Sequence, residues 1–368
     1  MISFKTELKL NNKQRTIMAK HAGVARHAYN WGLAICKEIL DYNQANPDNK
    51  QKFPSAIDLH KRLVAEVKSQ NQWYYEVSKC SPQQALRDLR IAWDRSFNKI
   101  AKPPRFKKKN NRDSFYLEGN IQIKGNKIKL PRIGWVKTYE KFIPSILVKK
   151  SGSNCVISKR ANRWFISYKV DYEPEKIEHT FGRVGCDIGI KTLATLSNGL
   201  VFPNVKAYRT VKKKLAHLQR ELSRKVKGST NYKRASVKLA KLHYRISCIR
   251  KDAIHKLTHY LTKNHSEVVI EDLNVSGMLQ NHRLASAIAD CGFYEFRRQL
   301  EYKCDWYGAI LHIVDRCFPS SKTCSNCNEI KSDLKLKDRT FNCSYCGLII
   351  DRDLNASINL ENAVSSTV

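Results

Sequence analysis

Two sets of residues in this 368-residue chain have types and spacings suited to chemistry. The first is Cys324, Cys327, Cys343 and Cys346, a C-x2-C-x15-C-x2-C frame. Each C-x2-C knuckle presents two thiolates to one ion, and the spacer lets the knuckles face each other. Four sulfurs complete a tetrahedron and leave no open coordination place, so the frame reads as one structural zinc site. The second set is three acids, Asp187, Glu271 and Asp353. Asp187 closes the apolar run Val184-Gly185-Cys186, Glu271 closes Val268-Val269-Ile270, and Asp353 opens the last helical stretch. Each is thus held at a core edge. Carboxylates gathered from such places suit two magnesium ions, which are hard and oxygen-seeking. A metal pair of this kind activates water against a phosphodiester and stabilises the leaving oxygen. Asp351 rivals Asp353, which is preferred because it lies where the final helix starts. Asp272 follows Glu271 directly and should point to the other side of its strand.

The elements that must position these residues follow from periodicity and caps. Residues 2–10 alternate as a strand. Asn11 and Asn12 are plausible caps for a helix carrying Ile17, Val24, Ala28, Trp31 and Ile35, and Ser55 with Asp58 starts a second. Ser81-Pro82-Gln83-Gln84 reads as the cap of a third, with stripe Leu86, Leu89, Trp93, Phe97. Strands follow at 121–124 and 127–130 around Gly125-Asn126, then at 145–150, 154–158 and 164–170. Together with the first strand these suggest a small β-barrel interrupted by a helical bundle, with Glu173-Pro174-Glu175 as a linker. From Val184 onward come three short strands and two long helices, about 207–226 and 231–263. Strand 268–271, a helix around 287–306, strand 309–315, the cysteine frame and the last helix complete the chain. That β-β-β-α-β-α-β-α order is the pattern of an RNase H-like α/β core.

Composition narrows the partner. Lys and Arg number 67 against 33 Asp and Glu, a net charge of +34. Such a surplus repels itself in a compact chain and calls for a polyanion. The charge is spread along the sequence, which favours nucleic acid over a membrane surface. Candidate phosphate contacts are Arg105, Lys107, Lys108 and Lys109 in one run, and Lys212, Lys213, Arg220, Arg224, Lys241 and Arg245 on the long helices. There is no apolar run of about 18 residues to span a bilayer and no signal-peptide pattern at the start. The other eight of the 12 cysteines are therefore expected to be reduced thiols in a cytoplasmic protein.

The motifs resemble the TnpB (OrfB) family of bacterial insertion sequences, and through it the compact type V CRISPR effectors. They are Pro104-Arg105-Phe106-Lys107-Lys108-Lys109, Leu130-Pro131-Arg132-Ile133-Gly134-Trp135, Gly185-Cys186-Asp187-Ile188-Gly189 and Ile270-Glu271-Asp272-Leu273-Asn274, with Phe296–Lys303, Pro319–Cys324 and Asp351–Ala356 further on. The resemblance implies an α+β multidomain chain. A wedge-type β-barrel (1–10 and 113–180) would hold an inserted helical recognition domain (11–112). A RuvC-like nuclease (181–316 and 351–368) would hold a zinc-ribbon insert (317–350) that binds target nucleic acid. It also implies an RNA-guided DNA endonuclease that carries a noncoding guide RNA from the transposon end, one protein copy on the RNA. Double-stranded target DNA would be cut beside a short flanking motif at one RuvC-like site, in the nucleoid of a bacterial cytoplasm. Asp187, Glu271 and Asp353 fall on the family's catalytic acids, and the four cysteines on its zinc ligands. Two other readings are a cleavage-independent RNA-guided repressor and an accessory transposase. The presence of all three acids speaks against the first, and the lack of a His-bearing motif to pair with a tyrosine nucleophile against the second.

Overall fold

The computed structural model describes residues 2–141, 144, 153–171, 174, 176–335 and 337–364. The chain divides into two units, Met1–Tyr172 and Glu173–Val368.

In the first unit, β1 (Ile2–Lys9) leads into α1 (Asn12–Ala45), whose start is fixed by a reciprocal cap. The Asn11 side chain accepts from the Gln14 backbone, and the Gln14 side chain accepts from the Asn11 backbone. Ser55 and Asp58 do the same for α2 (Ala56–Arg62). The third helix departs from expectation. α3 spans Cys80–Phe97, so Ser81 lies inside it, and its hydroxyl donates to the Tyr116 carbonyl at 3.0 Å. A tertiary bond has taken the cap's hydroxyl. Tyr116 lies in β2 (Ser114–Gly119), followed by β3 (Gln122–Lys124), β4 (Lys127–Leu130), β5 (Gly134–Thr138), β6 (Ser153–Arg160) and β7 (Arg163–Val170). The hairpin between β3 and β4 turns at Gly125, whose φ of 58° suits a residue without Cβ.

The seven strands run in the order β2-β6-β7-β1-β5-β4-β3. β1 changes partner midway: Ile2–Glu7 face β7, while Leu8 and Lys9 face β5. No ladder joins β2 to β3 among the described residues, so the expected barrel is an open sheet here. The β4–β3 hairpin extends outward from β5 instead of returning to β2, which leaves two edges. α1 and α3 share one core with the sheet, including Met18, Leu33, Leu86, Leu89, Ile128 and Ile166. The strand expected at 145–150 lies outside the described residues, as do positions 173 and 175 of the expected linker.

The second unit is built on β8 (Phe181–Ile188), β9 (Thr192–Leu196), β10 (Val201–Pro203), β11 (His265–Glu271) and β12 (Ile310–Val314), in the order β10-β9-β8-β11-β12. β8, β11 and β12 are parallel, so helical crossovers must join them. α4 (Ala207–Ser223) and α5 (Thr230–Asn264) join β8–β10 to β11. α6 (Val275–Met278), α7 (Ala285–Cys291) and α8 (Phe293–Tyr307) join β11 to β12. The single helix expected around 287–306 is thus two, because Gly292 at φ 73° ends α7 in the left-handed conformation. α5 and α8 cover one sheet face through Leu257, Leu261, Phe296 and Leu300. The cysteine region carries a hairpin of β13 (Thr340–Asn342) and β14 (Ile349–Asp351), and α9 (Arg352–Ala363) ends the described chain. No helix of the described residues is long and apolar enough to cross a membrane.

Candidate metal centres and nucleic-acid contacts

Strand alternation explains where the acids go. In β8, Val184 and Cys186 enter the core beneath α5 and α8, so Gly185 and Asp187 face the opposite side. In β11, Val268 and Ile270 enter that core, so Val269 and Glu271 face the same way as Gly185 and Asp187. Val269 is register partner to Gly185 in the parallel pair, so Glu271 and Asp187, each two residues on, share one level at the strands' carboxyl ends. α9 packs on that face. A Cβ placed on Gly185 would lie 1.9 Å from the Ser357 carbonyl oxygen of α9. The acid on the first turn of that helix is Asp353. Asp351 is its N-cap instead, accepting from the Asp353 and Leu354 backbone N–H groups at 2.9 and 3.1 Å. Its carboxylate is engaged in the helix start, which separates the two rivals.

The electrostatics tie the acids together. Burial pushes the Asp187 carboxyl up to about 7, and the charges of Asp353 and Glu271 push the same way, against the pull of Arg352. Glu271 is also raised, by burial and then by Asp272. Among the described residues, the carboxylates of Asp187, Glu271 and Asp353 make no hydrogen bond or ion pair. Asp272 points away, as alternation requires, and is gripped by Arg297 of α8 and by Arg316 beyond β12. Its backbone N–H also donates to Val314 at 2.9 Å. That clamp was not read from the sequence, and it fixes the chain directly after Glu271.

The donor set fits a hard divalent cation: oxygens only and an excess of negative charge, since the pull of Arg352 on Asp187 is outweighed by burial and the neighbouring acids. The three acids are not in mutual contact. Among the described residues, only the four cysteines bring three or more ligand atoms all within 4.8 Å of one another. Because a cation needs the deprotonated Asp187 carboxylate, affinity should fall as pH drops through about 7. Calcium at fixed excess is therefore expected to raise the melting temperature more at pH 8 than at pH 6. An equal shift at both pH values would detach Asp187 from cation binding.

The four sulfurs meet the zinc requirement directly. Cys324 to Cys346 is 3.5 Å and Cys327 to Cys343 is 3.6 Å between Sγ atoms. The edge of a tetrahedron with Zn–S bonds of about 2.3 Å is about 3.8 Å. Cys324 and Cys343 are buried with Phe341 and Leu334, and the knuckle backbones fold over the sulfurs. The Asn326 side chain and the Leu348 N–H draw the Cys346 thiol down to about 6, and backbone N–H groups of Cys346 and Tyr345 lower Cys343. Cys327 in the same cluster is pushed the other way, up to about 12, so the lowering falls on the second knuckle. Elemental analysis is expected to find one zinc per chain, and Cys324→Ser to lower that occupancy at least about tenfold. Unchanged zinc content in the variant would remove the assignment.

The basic candidates divide. α4 and α5 zip together through Leu215, Leu218, Leu242 and Ile246. Lys212, Lys213, Arg220, Arg224, Lys241 and Arg245 are all exposed. Among the described residues none of these six makes an ion pair, so their charge is free for phosphates. Arg220 and Arg224 line a cleft with His217, Glu221 and Lys225. Lys107 differs from the picture of a free basic run. Its ammonium lies 3.8 Å from the Tyr29 ring centroid, its backbone is bonded both ways to Asn30, and burial lowers its pKa. It pins the 105–109 run to α1, yet remains solvent-exposed like Arg105, Lys108 and Lys109.

The IS605 OrfB family model, described as a probable transposase, matches residues 165–282. A Cas12f1-like TNB domain matches 293–360, the stretch holding the cysteine frame. A helix-turn-helix domain model matches 1–44, where the structure has β1 and the unbroken first part of α1. A Streptomyces pristinaespiralis protein named as an RNA-guided DNA endonuclease is 39% identical over 77% of this chain and 71% of its own length. InsQ of Escherichia coli (strain K12), similarly named, is 33% identical over 97% of this chain and 91% of its own length. The chain belongs to the IS605 OrfB (TnpB) family. A Cas12f1 chain solved with sgRNA and target DNA superposes with a TM-score of 0.56 at 14% identity, covering 96% of this chain and 83% of that one. The mixed α+β fold of this TnpB-family chain is therefore shared with that effector.

Proposed function

We propose that this chain is an RNA-guided, magnesium-dependent DNA endonuclease carried by a transposable element. β8–β12 with α9 then form a RuvC-like, RNase H-like core, with 181–316 and 351–368 as nuclease and 317–350 as a zinc-ribbon insert for target nucleic acid. Residues 1–10 and 113–180 form the wedge and 11–112 the recognition part. Guide RNA from the transposon end supplies sequence specificity by pairing, and the protein reads backbone shape and a short flanking motif, one copy per RNA, in the bacterial nucleoid. The family membership and the names of the two relatives support the activity. The observation that supports the site assignment is a carboxylate trio without a hydrogen bond or ion pair among the described residues, with Asp187 pushed up to about 7 by burial and by Asp353 and Glu271 against the pull of Arg352.

In this reading Asp187, Glu271 and Asp353 hold the cations, and the Asp351 cap keeps the first turn of α9 in place. Bound magnesium supplies an activated water and charge stabilisation at the leaving oxygen. The half-buried setting strengthens every charge interaction there. The exposed faces of α4 and α5 bind phosphates without reading sequence.

The test is to purify the chain with its RNA and challenge it with plasmids. A genomic stem-loop RNA with a variable end should co-purify, and a plasmid matching that end should be cut only with magnesium. Binding without cutting would mark a repressor, and joining of transposon ends by the protein alone would mark a transposase. Either result overturns the proposal.

A further inference from the structure

We propose that the first zinc knuckle is a positioning device for the acid site, acting through Asn355 and Asn359 of α9. These asparagines lie four residues apart on one helix face and are 0% and 4% exposed. Asparagine favours neither helix interiors nor burial, so each requires hydrogen bonds there. The bonds go to the knuckle. Asn355 donates to the Thr323 carbonyl at 2.7 Å and accepts from the Ser325 N–H at 2.9 Å. Asn359 donates to the carbonyls of Thr323 at 2.6 Å and Ser320 at 2.7 Å. Thr323 and Ser325 flank Cys324, a fully buried zinc ligand. The same helix start is held a second time by the ribbon: the Arg352 N–H donates to Arg339 at 2.8 Å, and Asp351 pairs with Thr340 in the hairpin.

Asp353 stands between these anchors. Two residues after it, Asn355 grips the knuckle, and two residues before it, Asp351 belongs to the ribbon hairpin. The knuckle backbone keeps its path because two of its sulfurs share an ion with two from the other knuckle. Without zinc, that path is lost and both asparagines are left buried without partners, an unfavourable state. Relief comes by lifting the first turns of α9, which carries Asp353 away from Asp187 and Glu271. Coupling of this kind is reciprocal, so a cation at the acids also holds the zinc more firmly. Asn355 and Asn359 are positioning residues, and neither touches the reacting atoms.

The proposal rests on reading the acids as a cation site, and its test does not use cleavage. The full chain is stripped of zinc with a chelator, freed of chelator by gel filtration, and titrated with Mn2+ followed by electron paramagnetic resonance. Zinc loss is expected to weaken Mn2+ binding roughly tenfold. The double variant Asn355→Ala/Asn359→Ala, loaded with zinc, should bind Mn2+ as weakly as stripped wild type, and stripping it should change nothing more. Hydrogen exchange on the wild type gives a readout independent of any variant's folding. Amides of 352–357 should lose protection on zinc removal while those of 265–271 keep theirs. Unchanged protection at 352–357, or Mn2+ affinity indifferent to zinc in the wild type, overturns the proposal. If zinc-loaded wild type binds no Mn2+, the cation-site reading fails, and the exchange experiment alone decides the coupling.

Discussion

Asp187→Asn is expected to abolish DNA cleavage while making the metal-free protein more stable at pH 8. The two effects have one cause. Asp187 is raised from an ordinary 3.8 to about 7 because burial and the charges of Asp353 and Glu271 oppose its ionisation. A carboxyl with a higher pKa folded than unfolded contributes stability that is fully present below about pH 4. That stability is lost as pH rises through about 7. At pH 8 the wild type therefore carries a destabilising charge worth a few kcal/mol, which the neutral amide removes at nearly the same volume. The melting temperature of the variant should exceed that of wild type at pH 8, and the two should converge toward pH 4. The same charge is what a cation binds. Losing a ligand that contributes several kcal/mol at the transition state lowers the rate about a thousandfold or more, at ~1.4 kcal/mol per factor of ten. Binding of RNA and matched DNA should survive. Retained cutting, or a variant less stable than wild type at pH 8, would contradict the assignment of Asp187.

Gly185→Ala is expected to be nearly as damaging to cleavage and far more damaging to the fold. The added methyl would lie 1.9 Å from the Ser357 carbonyl oxygen and 2.7 Å from the Glu361 nitrogen. Both are backbone atoms of α9, so no side-chain rotation relieves the clash, and the helix must withdraw from β8. Overpacking of this kind costs about 3 kcal/mol or more. Withdrawal also takes Asp353 from the acid group, so Mn2+ binding should fall with stability while zinc content stays near one per chain. Denaturant midpoint and metal titration together check this. A variant with wild-type values for both would show that α9 does not press on Gly185.

These two residues show how much was legible before the structure. Asp187 and Glu271 stood out because each directly follows a short apolar run, Val184-Gly185-Cys186 and Val268-Val269-Ile270, and strand alternation is a local rule. The cysteine frame was readable because its geometry is written in spacing. The helix starts at Asn11 and Ser55 were readable because a capping box is closed within four residues. Apart from the helix break at Gly292, the failures involve distant partners. Ser81 looks like a cap until Tyr116 takes its hydroxyl. Lys107 gives no sign in the sequence that its ammonium lies over the Tyr29 ring. The strands expected in the first unit suggest a barrel, but β2 and β5 were not among them, and β1 divides itself between β7 and β5 and leaves β2 and β3 as edges. Gly292 was within reach, since a glycine inside a helical stretch marks a possible stop. Asn355 and Asn359 had a faint signal, two amides four apart on an apolar face, but their meaning lies in the knuckle they grip.

The place of the ribbon between β12 and α9 has a consequence during translation. Asp187 and Glu271 leave the ribosome first, on strands that can already pair. Asp353 emerges only after all four cysteines have been made. Under the assignment proposed above, a nascent chain holds two of its three cation-binding acids, and the third is delivered only behind the zinc ligands.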